Sequence, residues 1–180
     1  ERAAARTPGK LLAGDLESLP FADRSFQLVY CCDVLEHVRD DRRALIELFR
    51  VLAPGGRMGL VVPAFQCLWT QHDEANHHHR RYRRSNLVRL VRGAGFTVVR
   101  AGYLNVTLGV PVALYRLTQR LLETIRPRPS TCPPRSDIRP LPRALNGLLS
   151  LLYRAETALV GSVDLPLGTS VMLVLSRPAA

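Results

Sequence analysis

The stretch FQLVYCCDVLEHV, from Phe26 to Val38, decides the fold class of this 180-residue chain. Its first seven residues are apolar at both odd and even positions, which is typical of a strand covered on both faces rather than half exposed. The polar side chains of Asp33, Glu36 and His37 follow at once. The pattern therefore predicts an interior parallel strand whose carboxyl end opens onto a polar cluster.

A helix and a second buried strand follow this strand. Apolar residues recur at helical spacing from Asp40 to Ala53, where Asp40 or Asp41 can cap the start and Pro54-Gly55-Gly56 ends the helix. Arg57–Pro63, RMGLVVP, is another continuous apolar run. Strand, helix and strand at this spacing predict a right-handed crossover unit in a mostly parallel α/β sheet.

Further elements extend this sheet on both sides. The pattern predicts three further strands, at Lys10–Gly14, Thr97–Tyr103 and Ser170–Ser176. Glu1–Arg6 is expected to be the tail of a helix that precedes the first of them. Further helices are predicted from Ser85 to Gly95 and, with apolar sequences, at Leu108–Ile125 and Arg143–Val160. We expect the last strand to pair beside Thr97–Tyr103 and close one edge. The expected organisation is a core at 1–104, a helical and proline-rich insert at 105–168 and a terminal core strand at 169–180.

The insert has features that bear on membrane contact. Charged residues interrupt both apolar helices before they reach the roughly 20 residues that a bilayer requires. A segment of high proline density, RPRPSTCPPRSDIRPLPR, joins them and predicts irregular structure. Two alternatives remain for these helices: they pack on their own domain, or they lie on a membrane or on a partner.

Composition narrows the class of protein. A hydrophobic content of 47% is enough for one sizeable core. The net charge of +10 invites a polyanion partner, but Lys10 is the only lysine and the arginines are scattered, so we expect no nucleic-acid binding. Four cysteines without CxxC spacing, and no secretory signal, favour the cytoplasm. Because the chain lacks an initiator methionine, we also expect that its beginning has been removed.

The ends of the predicted strands are the first places to look for chemistry, because ligands of open α/β sheets bind beyond the carboxyl ends of the strands. Asp15, after the first strand, can read the edge of an adenine or merely cap a turn. His37 can act as a base near neutral pH or serve as a structural histidine. Asp33 or Glu36 can meet a cationic group of a ligand.

The stretch HDEANHHHRRYRR, from His72 to Arg84, contains four of the five histidines of the chain. A metal site, a nucleic-acid patch, a lid over the crevice and a solvated loop are the alternatives. Consecutive histidines diverge in direction and no outer pair stands on a regular element, so we expect no metal site here. By position, the stretch is a loop between a strand end and the Ser85 helix, which favours the lid.

Three segments in register carry a resemblance to a known family. They are GDLESLPF with Ser25-Phe26, then DVLEHV, then RVL with Pro54-Gly55-Gly56, and together they resemble the middle of class I S-adenosylmethionine-dependent methyltransferases. More narrowly, HDEANHHHRRY is similar to the HDExxGHxRRY segment of a bacterial subgroup, with His77 in place of the glycine. DLPLGTSVMLVLSRP resembles the terminal strand of that subgroup.

The resemblance implies a Rossmann-like, seven-stranded sheet with a reversed last hairpin, here lacking its first strands, and S-adenosylmethionine as cofactor. Asp15 and Leu16 would hold adenine, and Cys32 and Asp33 would line the methionine end. The candidate catalytic residues are His37, His72 and His78, and the candidate substrate-binding residues are Asp73, Arg81 and Tyr82. The glycine-rich loop of the family has no counterpart here, which leaves the methionine cradle absent from this sequence.

Three functions follow as hypotheses. The first is methyl transfer to a small molecule or to a lipid- or sugar-linked acceptor, with amphiphilic acceptors slightly favoured by the apolar insert. The second is a non-catalytic, degenerate module that binds a partner. The third is a peripheral membrane protein that uses Leu108–Ile125.

Overall fold

The computed structural model describes residues 11–125, 142–160 and 163–179. The predictions for Glu1–Arg6, for Lys10, for Cys132 and for most of the proline-rich segment lie outside these residues. The strands are β1 (Phe26–Cys32), β2 (Leu52–Pro63), β3 (Thr97–Leu104) and β4 (Ser170–Ser176). The α-helices are α1 (Asp41–Val51), α2 (Gln71–Ala75), α3 (Arg84–Gly93), α4 (Val106–Ile125) and α5 (Arg143–Val160), with single 3₁₀ turns at Leu35–His37 and Gln66–Leu68.

The four strands form one sheet in the order β1-β2-β4-β3. β1 and β2 are parallel, whereas β4 is antiparallel to both of its neighbours, so β1, β2 and β3 point one way and β4 is reversed. The Rossmann-like, mostly parallel sheet with a reversed terminal strand is therefore confirmed. β4 does pair with β3, but it lies between β2 and β3, so the expectation that β4 closes an edge was wrong and β3 forms that edge. β1 forms the other edge of the described sheet, with Leu28 and Tyr30 52% and 73% exposed. The prediction that β1 is an interior strand covered on both faces was therefore wrong, because among the described residues only β2 pairs with it.

The core lies between the sheet and helices α1 and α3. Each helix buries one apolar stripe, which includes Leu45 and Leu48 of α1 and Leu87 and Val91 of α3. The strands present their own fully buried side chains, and each such aliphatic side chain contributes about 1.5–3 kcal/mol by leaving water. These strand residues are Met58, Leu60, Val62, Val171, Leu173 and Leu175.

The helix boundaries differ from the sequence pattern in small ways that have local causes. Asp40 caps α1 by accepting a hydrogen bond from the backbone N–H of Arg43 at 2.9 Å, as one of the two predicted caps. β2 already begins at Leu52 and takes in Pro54-Gly55-Gly56, because Leu52 pairs with Phe26 across an irregularity in the β1–β2 ladder. α3 begins at Arg84 without a side-chain cap, so Ser85 is not its N-cap.

The predicted first strand is wrong over its described part. Residues 11–14 form no strand, and Leu11 and Leu12 are 55% and 64% exposed. A strand needs a neighbour to complete its backbone hydrogen bonds. The turn that follows is held against α1 instead, since Leu19 donates to Glu47 and Asp40 donates to Glu17 through their backbone N–H groups.

Helix α5 fixes the start of α4. The buried carboxylate of Glu156 accepts hydrogen bonds from the backbone N–H groups of Val106 and Thr107, at 2.8 and 2.9 Å, and from the Thr107 hydroxyl. Burial of this carboxylate acts to raise the pKa of Glu156, but these donors lower it below its ordinary value.

As predicted for both apolar helices, no described helix is long and apolar enough to cross a membrane. The boundaries of the insert remain a prediction.

The histidine-rich stretch contains a strained backbone position. His77 has a φ of +57°, in the left-handed region that favours glycine. It is the position at which the resemblance to HDExxGHxRRY predicts glycine, the residue that adopts this conformation at least cost.

Replacing His77 with glycine should therefore stabilise the protein. The left-handed conformation costs a non-glycine residue about 1–2 kcal/mol, partly offset by the greater freedom of glycine in the unfolded chain. We expect His77→Gly to raise the free energy of unfolding in urea by about 0.5–1 kcal/mol. His79→Gly is the control, because His79 has no positive φ, and it should lower stability. Equal losses in both variants would contradict the strain.

Candidate functional site

A cavity of about 390 Å³ opens at the carboxyl ends of β1 and β2. Asp33 follows β1, Pro63 ends β2, and Ser170 begins the reversed strand β4. Helix α4 closes one side of the cavity with Val112 and Arg116. The topology therefore brings chain segments that are far apart in sequence to one rim, as expected for an open α/β sheet.

The carboxylate of Asp73 organises one wall of this cavity. Its side chain is fully buried and accepts hydrogen bonds from Arg81 Nε at 2.8 Å, from His78 Nδ1 at 2.9 Å and from the Thr70 backbone N–H at 2.9 Å. Burial alone would raise the pKa of Asp73, but hydrogen bonds from Arg81 and Thr70 bring it below the ordinary value. In the neutral imidazole, this contact with the carboxylate places the ring proton on Nδ1 and leaves Nε2 as the acceptor nitrogen.

The short helix α2 explains how Asp73 reaches this place. Thr70 and Asp73 form a capping box, in which each side chain accepts from the backbone N–H of the other end of the turn. The sequence prediction of a loop across this stretch was therefore wrong at Gln71–Ala75. The threonine and the aspartate three residues later were a readable signal for a helix start.

Arg81 and Tyr82 tie the stretch to the end of β2. The Arg81 guanidinium also donates to the carbonyl of Ala64 at 3.1 Å, and the Tyr82 N–H donates to the carbonyl of Pro63 at 2.9 Å. The Tyr82 hydroxyl donates to Asp41 at 3.0 Å, and burial together with this carboxylate raises the pKa of Tyr82. Both side chains are thus interior supports of the cavity wall.

The 3₁₀ turn after β1 supplies the other polar wall. Glu36 is only 1% exposed, and neither of its carboxylate oxygens has a hydrogen-bond partner among the described residues. Burial raises the pKa of Glu36 to about 7.

The His37 ring lies edge to face against the His78 ring, with 4.6 Å between the ring centroids. Partial burial and His78 lower the pKa of His37, and burial raises the pKa of Asp33.

Helix α4 adds a cation that the sequence predictions missed. Arg116 lines the cavity, donates to the carbonyl of Leu68 at 3.3 Å and lies 3.7 Å from the Asp73 carboxylate. Arg116 is one of two arginines on a mostly apolar helix, and a charged side chain on such a helix is best placed toward a polar site, which was a usable signal.

The structure brings together some of the predicted site residues and leaves others apart. Asp33, His37, His72, His78 and Arg81 line the cavity. The others do not line it, and they are Asp15, Leu16, Cys32, Asp73 and Tyr82.

The predicted adenine-binding residues lie in a turn of their own. The Asp15 carboxylate accepts from the backbone N–H of Glu17 at 2.9 Å and so caps its own turn. Leu16 packs against the core, and Cys32 is exposed at the end of β1. Adenine binding by Asp15 and Leu16 remains a prediction.

Parts of this chain are similar in sequence to known methyltransferases. A model described as a methyltransferase domain matches residues 1–60. The demethylmenaquinone methyltransferase of Paenarthrobacter aurescens is 40% identical over 67 residues, which cover 34% of this chain and 26% of that protein. The malonyl-[acyl-carrier protein] O-methyltransferase of Methylococcus capsulatus is 29% identical over 110 residues, or 58% of this chain and 40% of that protein.

A solved structure agrees over nearly the whole chain. The S-adenosylmethionine-dependent methyltransferase of Mesorhizobium loti superposes with a TM-score of 0.53 at 16% identity, covering 98% of this chain and 74% of that one. This likeness concerns the fold. The chain spans between about a quarter and two fifths of the length of the two curated relatives named above.

Proposed function

We propose that this chain, whose residues 1–60 match a methyltransferase domain, is a class I S-adenosylmethionine-dependent methyltransferase, and that its cavity holds the sulfonium end of the cofactor beside a methyl acceptor. The observation that carries the proposal is the convergence of Asp33, His37 and His78 on one cavity at the carboxyl ends of β1 and β2. Carboxylates there suit a cofactor end that carries positive charge, since opposite charges attract strongly in a partly desolvated site.

The chemistry asks little of the protein beyond alignment and removal of a proton. A lone pair of the acceptor attacks the methyl carbon, the carbon–sulfur bond breaks, and sulfur keeps the bonding electrons as a neutral thioether. The acceptor then loses a proton to a base. When bound, S-adenosylmethionine supplies the activated methyl group, and the residues of this chain position the acceptor and receive its proton.

The residues take the following proposed roles. Asp15 and Leu16 hold the adenine, whereas Cys32 and Asp33 face the methionine end. His37, His72 and His78 are the candidate proton acceptors. His78 is favoured because the buried Asp73 orients its ring, with Nδ1 and the carboxylate 2.9 Å apart.

Asp73, Arg81 and Tyr82 act on the substrate indirectly in this proposal. Their polar groups are engaged inside the protein, so they shape the wall against which the acceptor lies. Arg116 and Arg81 give that wall positive charge, which suits an acceptor that carries a phosphate or carboxylate group.

The acceptor is, in our proposal, a small molecule or a lipid- or sugar-linked intermediate. Helix α4 supports the amphiphilic choice, since Val112 lines the cavity while Leu114 and Leu121 on the same helix are about 60% exposed. The relatives are named for demethylmenaquinone and for a malonyl group on a carrier protein. We place the reaction in the cytoplasm, with contact at a membrane surface through α4 as an accessory role.

Calorimetric titration of S-adenosylmethionine tests the proposal. The protein is expressed with any coding sequence that precedes Glu1 in its gene, and micromolar affinity, about −8 kcal/mol, is expected. Asp33→Ala should weaken binding at least tenfold, or about 1.4 kcal/mol, whereas the exposed Asp23→Ala should not change it. Absence of binding would favour the non-catalytic module, and equal binding by Asp33→Ala would remove Asp33 from the cofactor site.

A further inference from the structure

We propose that Glu36, His37 and His78 form a binding site for a divalent transition-metal ion, with Zn²⁺ the ion that suits these ligands best. One ligand atom from each of the three side chains lies within 4.8 Å of the other two. Metal binding here is independent of methyl transfer, because it involves only this chain and the ion.

The spacing is close to that of a real metal site. With zinc bonds of about 2.0–2.1 Å, ligand atoms of a tetrahedral site lie about 3.4 Å apart. The ligand atoms, which lie within 4.8 Å of one another, therefore need to approach by at most about 1.4 Å, a distance that side-chain rotation supplies. His37 has the freedom to do this, because its side chain is exposed.

The buried Glu36 carboxylate is an independent indication of a cation at this place. It is 1% exposed, and both of its oxygens lack a hydrogen-bond partner among the described residues. Burying such a group without a partner is unfavourable, and buried charges are normally paired or bound to a metal. A cation between Glu36 and the two histidines would satisfy it.

His78 already makes the hydrogen bond to a carboxylate that supports a metal-binding histidine. Histidines that bind metals almost always donate their other ring N–H to a carboxylate or carbonyl, which fixes the tautomer and strengthens the ligand. Here Nδ1 of His78 lies 2.9 Å from the buried Asp73 carboxylate, which Arg81 and Thr70 keep ionised. The Nε2 lone pair is thus prepared for a proton or for a metal ion.

Two histidines and one carboxylate leave at least one coordination position open, and His37 and His78 both line the cavity. Such open sites are typical of catalytic zinc, in which water or a substrate oxygen takes the fourth position. The ion would thus hold an acceptor through an oxygen atom.

This inference opposes the sequence-based expectation of no metal. That expectation weighed the consecutive histidines at 77–79 as one group, and in the structure only His78 of these three belongs to the cluster. Its partners, Glu36 and His37, come from the turn after β1, 42 and 41 residues earlier in the chain.

Metal titration of the protein tests the inference without cofactor or acceptor. The protein is stripped with a chelator and titrated with Zn²⁺ by calorimetry, and with Co²⁺ by its visible absorption. One ion per chain is expected, with a thermal stabilisation that grows with Zn²⁺ concentration. His37→Ala should weaken binding at least tenfold, and His79→Ala, a histidine outside the cluster, should leave it within twofold of the unchanged protein.

Glu36→Gln separates metal binding from a merely structural role. Removing the charge of an unpaired buried carboxylate should raise the melting temperature of the stripped protein, while the shift caused by Zn²⁺ should disappear. Absence of stoichiometric Zn²⁺ or Co²⁺ binding would overturn the inference. So would binding that survives both substitutions, or that is lost only when the exposed thiols of Cys32 and Cys67 are alkylated.

Discussion

Asp73→Ala should lower the free energy of unfolding by about 3–5 kcal/mol, because the substitution leaves the Arg81 guanidinium buried without its counter-ion. The Arg81 and Asp73 side chains are 4% and 0% exposed, and their closest atoms are 2.8 Å apart. The same change removes the acceptor of His78 and the side-chain cap of helix α2. Urea denaturation followed by circular dichroism measures the loss.

Asp23→Ala is the matched control. Asp23 also pairs with an arginine, Arg50, at 2.7 Å, but its side chain is 71% exposed. Exposed ion pairs contribute about 0–1 kcal/mol, so the control should stay within that range. A double variant with Asp73→Ala and Arg81→Met should lose less than Asp73→Ala alone, since no unpaired charge is left behind. If the single variant lost no more than the control, the buried network would not support the site.

His78→Asn should lower kcat by about 10²–10⁴-fold with little loss of stability. The asparagine amide can still donate to Asp73 from near the place of Nδ1, but it has no counterpart of Nε2, the atom that would take a proton or a metal ion. Release of S-adenosylhomocysteine measures turnover, with the acceptor that supports the fastest release. Denaturation in parallel shows whether the fold is kept.

The controls for this prediction come from the same stretch. His79→Asn should keep kcat within about threefold, since general acid–base effects are confined to groups in reach of the reacting atoms. His78→Ala should lose both turnover and stability, because it removes the donor to Asp73 as well. Turnover by His78→Asn equal to that of His79→Asn would exclude His78 from the chemistry.

Local sequence patterns were sufficient for most of the sheet and its helices. Continuous apolar runs predicted β1 and most of β2, β3 and β4, and helical spacing predicted α1, α3 and both apolar helices. These elements follow from side-chain periodicity, which residues close in sequence express without knowledge of the partner. The predicted strand at Lys10–Gly14 failed over residues 11–14 for the opposite reason, since a strand exists only where a neighbour accepts its hydrogen bonds.

The candidate site was only partly predictable. The residues at the carboxyl ends of the strands were found from the topology rule, and five predicted site residues do line the cavity. Arg116 was missed as a member of the site, because it arrives from a helix whose docking on the Gln66–Leu68 turn no local pattern specifies. The insertion of β4 between β2 and β3 was missed too, because strand order depends on contacts distant in sequence.

By itself, the sequence determined which segments are strands and helices and where polar residues follow them, because these features depend on periodicity within about ten residues. Only the tertiary structure decided that Asp73 is a buried counter-ion of Arg81, that Glu36 has no described partner, and that Glu36 and His37 meet His78. The physical reason is that burial, and with it the strength of each charge interaction, is a property of the assembled chain and not of any one segment.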